Sequence, residues 1–244
     1  MPDIAVVEVP QWRGSSSATA RRLPEGARLL AGLVPGVAER VDVADESGDH
    51  ALAANAAKTR AALDRTGGRP ALTAGGDCGV EVAPIAEAVR RHGDRLAVVW
   101  FDAHGDLNTL ASSPSGNPWA TPLRRLIDSG AVEADDVVLI GARSLDPPEE
   151  EFIGSHGIRL GEEGIGGALE GVSCAYVAFD ADVLEPSELA VFMPEPGGLF
   201  LTDGERILAG IAACTNVLGA GFTGATFEPG NVPPLARLAA ALGL

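Results

Sequence analysis

The feature that most constrains this chain is a set of three metal-competent side chains at alternate positions, directly after an apolar segment. Residues 96–101 have the unbroken apolar character of a strand buried on both faces. Asp102, His104 and Asp106 follow. Because alternate residues of an extended chain point the same way, these side chains are expected to converge at the carboxyl end of the strand, where open parallel sheets place their sites.

A second stretch repeats this arrangement further along the chain. Residues 175–179 are apolar and run into Asp180 and Asp182, again two positions apart. The carboxylates of the two stretches would repel one another unless cations were bound. An aspartate at a strand end can instead cap the next helix or turn, and for a single aspartate that is the simpler interpretation. A trio containing histidine together with a spaced pair favours metal binding.

Segments of strand character alternate with segments of helical periodicity along the chain. The first strand is expected at residues 4–9, in the centre of the sheet, and the last at residues 219–227, ending at Glu228. Such alternation predicts the α/β class, with a mainly parallel central sheet covered on both faces in three α/β/α layers. No break in composition divides the chain, so residues 1–244 are predicted to form a single domain.

Charge and composition exclude several classes of partner. A formal net charge of −16 argues against nucleic acid and against an anionic membrane surface, and it favours a cationic ligand or a metal. Three scattered cysteines do not make a disulfide framework, which favours a reduced, cytoplasmic setting. The N-terminus lacks a basic region followed by an apolar core, and no apolar run is long enough to span a bilayer, so a soluble protein is expected.

Three motifs together resemble those of a known family. The first is Gly75-Gly76-Asp77-Cys78, the second Asp102-Ala103-His104-Gly105-Asp106, and the third Phe179-Asp180-Ala181-Asp182. In this order, and over nearly the whole chain, they are similar to the motifs of the ureohydrolases, the arginase and agmatinase group. The resemblance implies an arginase-like α/β/α fold, a homo-oligomer, and two Mn²⁺ ions per chain that serve the hydrolysis of small guanidino or amidino compounds.

The resemblance also implies the metal ligands. One ion would be held by Cys78, Asp102, Asp106 and Asp180, and the second by His104, Asp102, Asp180 and Asp182. Cys78 departs from the family, which has a histidine at that position. A thiolate is a softer ligand, which suits Zn²⁺ or Fe²⁺ better than Mn²⁺. The alternative is that Cys78 packs as a small apolar side chain.

Substrate-binding residues are implied in the same way. Asn108, followed by Ser115 and Asn117, resembles the loop that holds a substrate α-carboxylate, and Asp146 resembles the residue that faces the α-amino group. Glu228 is placed where the guanidinium-binding glutamate of the family would be. The alternatives are a turn for Ser115 and Asn117, a residue preceding a helix for Asp146, and a solvated strand end for Glu228.

A second departure is Trp119, which stands where the family has a histidine that can shuttle a proton to the leaving amine. Proton transfer of that kind typically contributes about 10²-fold or more to the rate. Its loss predicts slower chemistry, or a leaving group that needs less help, such as that of an N-hydroxyguanidino group. The resemblance to the family makes Asp106 the predicted catalytic carboxylate, and Glu228 would orient the cation.

The predicted function is a metal-dependent hydrolase of a guanidino or amidino amino acid, of the arginine, N-hydroxyarginine or agmatine type. It would cleave a C–N bond of a linear amidine and release urea or a urea derivative. One alternative is a formimino-amino-acid hydrolase. Another is a catalytically impaired protein of the same fold that binds a ligand.

Overall fold

The structure, a computed structural model, describes residues 4–15, 17–35, 38–93 and 95–244. Within these residues the strands are β1 (Ala5–Val9), β2 (Ala38–Arg40), β3 (Ala71–Gly75), β4 (Ala97–Phe101), β5 (Val137–Ile140), β6 (Arg159–Leu160), β7 (Cys174–Asp180) and β8 (Asn216–Thr223). They form one eight-stranded sheet in the order β2-β1-β3-β8-β7-β4-β5-β6. Every described pairing between neighbours is parallel.

Eight α-helices cover this sheet in the described part of the chain. They are α1 (Leu23–Ala31), α2 (Gly48–Arg65), α3 (Val82–His92), α4 (Pro122–Asp128), α5 (Pro147–His156), α6 (Ile165–Ala168), α7 (Leu201–Cys214) and α8 (Val232–Ala241). Short 3₁₀ helices include Cys78–Glu81, which follows β3, and Ala181–Val183, which follows β7. Those two turns begin where the predicted metal-binding motifs leave the sheet.

Strand β4 shows how its sequence pattern builds the layers. Val99 and Phe101 pack into a core cluster with side chains of α1, α7 and α8. Val98 and Trp100 point the opposite way, into a cluster with side chains of α3, α4 and α5. Both sets are buried because each face of a parallel sheet is covered by helices. The predicted three-layer α/β/α fold with a parallel central sheet is confirmed.

The prediction that the first strand is central was wrong. Strand β1 lies between β2 and β3, second from the edge. The middle of the sheet is instead formed where β8 inserts between β3 and β7. The next two strands of the chain, β2 and β3, pair with opposite edges of β1. The position of β1 in the sheet therefore depends on the direction of each crossover connection.

Strand β8 also ends earlier than predicted, at Thr223 rather than at residue 227. Gly224 has a φ of 73°, in the left-handed region that extended backbone does not enter. Its amide donates to Gly76 O (2.9 Å), while its carbonyl accepts a hydrogen bond from the amide of Phe192 (3.0 Å). The chain therefore turns out of the sheet at Gly224, and Glu228 lies beyond the strand end.

No helix in the described ranges is both long and apolar enough to cross a membrane. The prediction about the N-terminus rests partly on residues 1–3, which lie outside the described residues.

Candidate active site

A cavity of about 300 Å³ lies at the carboxyl edge of the sheet. It is lined from the ends of β3, β4, β7 and β8 and from the loops that follow them. Every site residue predicted from sequence lines this cavity except Glu228. The ten that do are Cys78, Asp102, His104, Asp106, Asn108, Ser115, Asn117, Asp146, Asp180 and Asp182.

Asp102 follows β4 and is fixed by its neighbours. The indole Nε1 of Trp100 donates to Asp102 Oδ2 (3.3 Å), and the backbone amide of His104 donates to Asp102 Oδ1 (2.8 Å). Only 2% of Asp102 is exposed. The aspartate therefore presents its carboxylate to the cavity in one orientation.

The end of β7 supplies the second pair of carboxylates. Thr223 Oγ1 donates to Asp180 Oδ2 (2.8 Å), and the amide of Asp182 donates to Asp180 Oδ1 (3.1 Å). Asp182 Oδ1 in turn accepts from the amide of Ala103 (3.0 Å), which ties the two strand ends together. Because β4 and β7 are neighbours in the sheet, the two motifs meet at one edge.

The side chains form two groups of possible metal ligands. Within each group, the ligand atoms all lie within 4.8 Å of one another. Cys78, Asp102 and Asp180 make the first group. Asp102, His104 and Asp182 make the second, so that Asp102 belongs to both. Asp106 is in neither group, although sequence reasoning placed it with the first.

The electrostatics of these groups show a site with excess negative charge. Burial and the neighbouring Asp182 raise the pKa of Asp180 to about 7. Burial and Asp102 raise the pKa of Asp182 to about 6. Burial lowers the pKa of His104, but its hydrogen bonds to Asp102 and Asp182 outweigh this and raise it to about 12. A positive charge is therefore stabilised between these carboxylates.

His104 shows where that charge would lie. Its Nδ1 is 3.2 Å from Asp102 Oδ1 and 3.2 Å from Asp182 Oδ2. One imidazole nitrogen thus faces two carboxylate oxygens, an arrangement that a divalent ion can occupy in place of the proton. The donor set of carboxylate, imidazole and thiol suits a divalent transition metal.

Asp106 occupies an unusual backbone conformation. Its φ of 53° is the only positive value among the described residues other than glycine. The side chain is buried, and its Oδ2 has no hydrogen-bond partner in the described structure. Burial and the nearby charge of Asp102 raise the pKa of Asp106 well above its usual range. An unpartnered buried carboxylate oxygen at a cavity is a common mark of a functional group.

Cys78 and Trp119 meet at the same wall of the cavity. The thiol of Cys78 donates to the carbonyl of Trp119 (3.2 Å), and the Trp119 ring packs edge-on against Phe192, with centroids 5.1 Å apart. Burial and the neighbouring Asp106 raise the pKa of the Cys78 thiol well above its ordinary value. A metal ion would therefore have to displace the thiol proton in order to bind.

The residues expected to hold the amino-acid end of a substrate line the same cavity. Asn108 donates through Nδ2 to Asp146 Oδ2 (2.8 Å), and its Oδ1 accepts from Ser112 (3.0 Å). Asp146 is also the N-cap of α5 and forms a capping box with Glu149. Asp146 therefore has the structural role of a helix cap in addition to its place in the cavity lining. Ser115 hydrogen-bonds Ser113 and the amide of Asn117, as in a turn.

Glu228 does not line this cavity. Its Oε1 accepts a hydrogen bond from Arg22 Nη2 (2.9 Å), and 46% of its side chain is exposed. At the place where β8 leaves the sheet, the cavity is lined by Gly224, which has no side chain. An added Cβ there would lie 2.0 Å from Asp180 Oδ1. The carboxylate expected from the end of β8 is therefore not brought to the cavity.

Sequence reasoning missed Glu195, which lines the cavity from the loop between β7 and α7. Its Oε1 is 3.8 Å from His104 Nε2. The available signal was its place in a Pro/Gly-rich loop that follows the Asp180 motif, since loops after strand ends often carry binding residues. Phe192 and Met193 of the same loop line the cavity too.

Comparison with known proteins gives a consistent result. The model of the arginase family matches residues 35–224. The arginase of Bacillus caldovelox is 34% identical over 194 residues, which are 68% of this chain and 64% of that protein. The chain thus matches less than two thirds of that relative's own length.

Solved structures extend the likeness over the whole chain. Arginase from Bacillus caldovelox superposes with a TM-score of 0.88 at 26% identity, covering 99% of this chain and 98% of that one. Formimidoylglutamase from Bacillus subtilis superposes with a TM-score of 0.79 at 19% identity, covering 98% and 85%. The second likeness is one of fold alone.

Proposed function

Because the chain belongs to the arginase family, we propose that it is a metal-dependent hydrolase of a guanidino or amidino amino acid. The substrate would be of the arginine, N-hydroxyarginine or agmatine type, and the product urea or a urea derivative. The observation that carries this proposal is the pair of ligand groups sharing Asp102 at the base of one cavity.

The donor set fits the two divalent ions that the family implies. Cys78, Asp102 and Asp180 would hold one ion, and Asp102, His104 and Asp182 the other. Mn²⁺ is the family's metal, with Zn²⁺ or Fe²⁺ as alternatives at the Cys78 group, because a thiolate is a soft ligand. When bound, such ions supply a hydroxide nucleophile near neutral pH.

The chain's own residues would bind the substrate and move protons. Asn108, Ser115, Asn117 and Asp146 would hold its amino and carboxylate groups, since they line the cavity together with the two ligand groups. Asp106 would take up a proton at its unpartnered Oδ2 and pass it to the departing amine, since burial and the charge of Asp102 raise its pKa and so favour its protonated form.

Two alternatives remain from the same site. Trp119 lines the cavity where a shuttling histidine is expected, which favours a substrate whose leaving group needs little assistance, or a protein that binds without turnover. A formimino amino acid would release formamide in place of urea.

The test is a product assay on manganese-loaded protein, with arginine, N-hydroxyarginine, agmatine and a formimino amino acid as substrates. We expect urea or hydroxyurea from a guanidino substrate. Formamide as the main product would move the assignment to the formimino reaction. Protein that carries metal and releases no product would support the ligand-binding alternative.

Metal content separates a ligand role of Cys78 from a packing role. We expect Cys78→Ala to lower the content from two ions per chain to one, because it removes a donor from the first group. Cys174→Ala is the matched control, since that thiol is buried in the core away from the cavity, and it should retain both ions. Elemental mass spectrometry measures both, and two ions in Cys78→Ala would contradict the ligand role.

A single domain over residues 1–244, a homo-oligomer and a cytoplasmic setting stay predictions. The net charge of −16 supports the further prediction that the partner is a small molecule and neither nucleic acid nor membrane.

A further inference from the structure

A cationic substrate needs a carboxylate in the cavity that other groups have not already engaged. Asp102, Asp180 and Asp182 converge in the two ligand groups. Asp146 accepts from Asn108, and both oxygens of Glu149 accept backbone amides, those of Leu107 and Asp146. These carboxylates are committed to metal binding or to the fold. Two others that line the cavity, Asp77 and Asp106, each have an unpartnered oxygen, but they are only 3% and 4% exposed, and Asp106 already has the proposed proton-transfer role.

Glu195 differs from them in position and exposure. Its side chain lines the cavity and is 33% exposed. Its carboxylate is therefore accessible to a ligand that enters the cavity. Its Oε1 lies 3.8 Å from Nε2 of His104, on the side of the imidazole opposite to the nitrogen that faces the aspartates. Glu195 therefore lines the cavity directly beside the second ligand group.

Arg143 fixes the backbone that carries Glu195. Its guanidinium donates to the carbonyl oxygens of Glu195 (2.7 Å) and Pro196 (3.1 Å). It also donates to the carbonyls of Gly141 (2.9 Å), just after β5, and Asp182 (2.8 Å), just after β7. The charge of Arg143 is thus directed at backbone oxygens, and the loop is joined to the sheet edge that holds the ligand groups.

Further contacts hold the two ends of the same loop. Glu185 Oε2 accepts the amides of Gly197 (2.8 Å) and Gly198 (3.1 Å), and Leu184 forms a parallel bridge with Leu199. A loop held at its base and by Arg143 presents Glu195 in a prepared position, which lowers the entropic cost of binding.

We infer that Glu195 receives the cationic amidine group of the substrate, in the role that sequence reasoning gave to Glu228. A carboxylate beside a planar cation makes charge-assisted hydrogen bonds that a neutral isostere of that cation cannot match. Glu195 would therefore select a guanidinium over a ureido group of the same shape. The inference rests on the proposed function for the class of substrate, but it concerns binding and not turnover.

The experiment compares cationic ligands with neutral ligands of the same shape. One pair is L-arginine and L-citrulline. The other pair is agmatine and N-carbamoylputrescine, neither of which has an α-carboxylate. Dissociation constants are measured by calorimetry on metal-loaded protein carrying Asp106→Asn, so that ligand is not consumed. We expect the cation to bind about 10- to 100-fold more tightly than its neutral partner in at least one pair.

Adding Glu195→Gln should reduce that preference to within about threefold, because Gln keeps the shape and loses the charge. Glu188→Gln is the matched control, a partly exposed glutamate of the same loop outside the cavity lining, and it should keep the preference. The inference is overturned if Glu195→Gln retains the preference, if Glu228→Gln removes it instead, or if the parent protein has none. A protein that prefers the cation but forms no urea would refute the proposed function alone.

Discussion

Replacing Asp106 by Asn is expected to lower turnover by about 10²- to 10⁴-fold, the usual loss when a general acid–base group is removed. Asn suits the test because it tolerates the left-handed conformation that Asp106 adopts, with φ at 53°, so the backbone can be retained. It keeps one oxygen but has no ionisable carboxyl group. The measurement is kcat for the amidine substrate that the unmodified protein turns over, on protein loaded with manganese.

Metal content and thermal unfolding of the same Asp106→Asn protein decide how a loss is interpreted. We expect two ions per chain to remain, because Asp106 is in neither of the described ligand groups. A parallel loss of one ion would instead make Asp106 a ligand, as sequence reasoning first suggested. Full turnover in the variant would remove Asp106 from the mechanism.

The second large effect is expected at Asp102, whose carboxylate belongs to both ligand groups. Asp102→Asn removes a charge shared by the two sites, so metal content should fall from two ions to one or fewer, and turnover should be lost with it. In the unmodified protein, a metal ion that binds only the folded state raises the free energy of unfolding by about 4 kcal/mol when the free metal concentration is a thousand times Kd. For a chain of this size that corresponds to a rise in Tm on the order of 10 °C.

Differential scanning calorimetry with and without added Mn²⁺ measures this stabilisation. The rise in Tm should be present in the unmodified protein and largely absent in Asp102→Asn, since Asp102 faces both Cys78 and His104 in these groups. Asp45→Asn, at a fully exposed aspartate paired with Arg13, is the control and should keep the full rise. An equal rise in Asp102→Asn would mean that the added metal binds elsewhere.

The convergence of the aspartates and His104 could be predicted from sequence because it depends on local geometry. Apolar residues before Asp102 and Asp180 indicate buried strands, and alternate side chains of such strands point the same way. Parallel strands bring their carboxyl ends to one edge of the sheet, so two motifs of this kind meet if their strands are neighbours. Strands β4 and β7 are neighbours, so Asp102, His104, Asp106, Asp180 and Asp182 line one cavity. The other five cavity-lining predictions came from the resemblance to the arginase family.

The substrate-facing carboxylate could not be predicted in this way. The expectation for Glu228 required β8 to continue past Gly224, where a φ of 73° ends it. Glu195 reaches the cavity because Arg143 binds backbone carbonyls of two connections, the one after β5 and the one between β7 and α7. A carbonyl oxygen is present at every residue, so the sequence carries no mark of which ones Arg143 will contact.

The sequence by itself thus determined the layered α/β fold and the convergence of the aspartates, since both follow from strand periodicity and from the burial of apolar segments. Tertiary structure alone decided the order of the strands, with β8 inserted between β3 and β7, and which glutamate faces the cavity. The physical reason is that strand order and loop position are set by contacts between distant segments. Those contacts depend on packing and on backbone hydrogen bonds, which leave no periodic pattern in the chain.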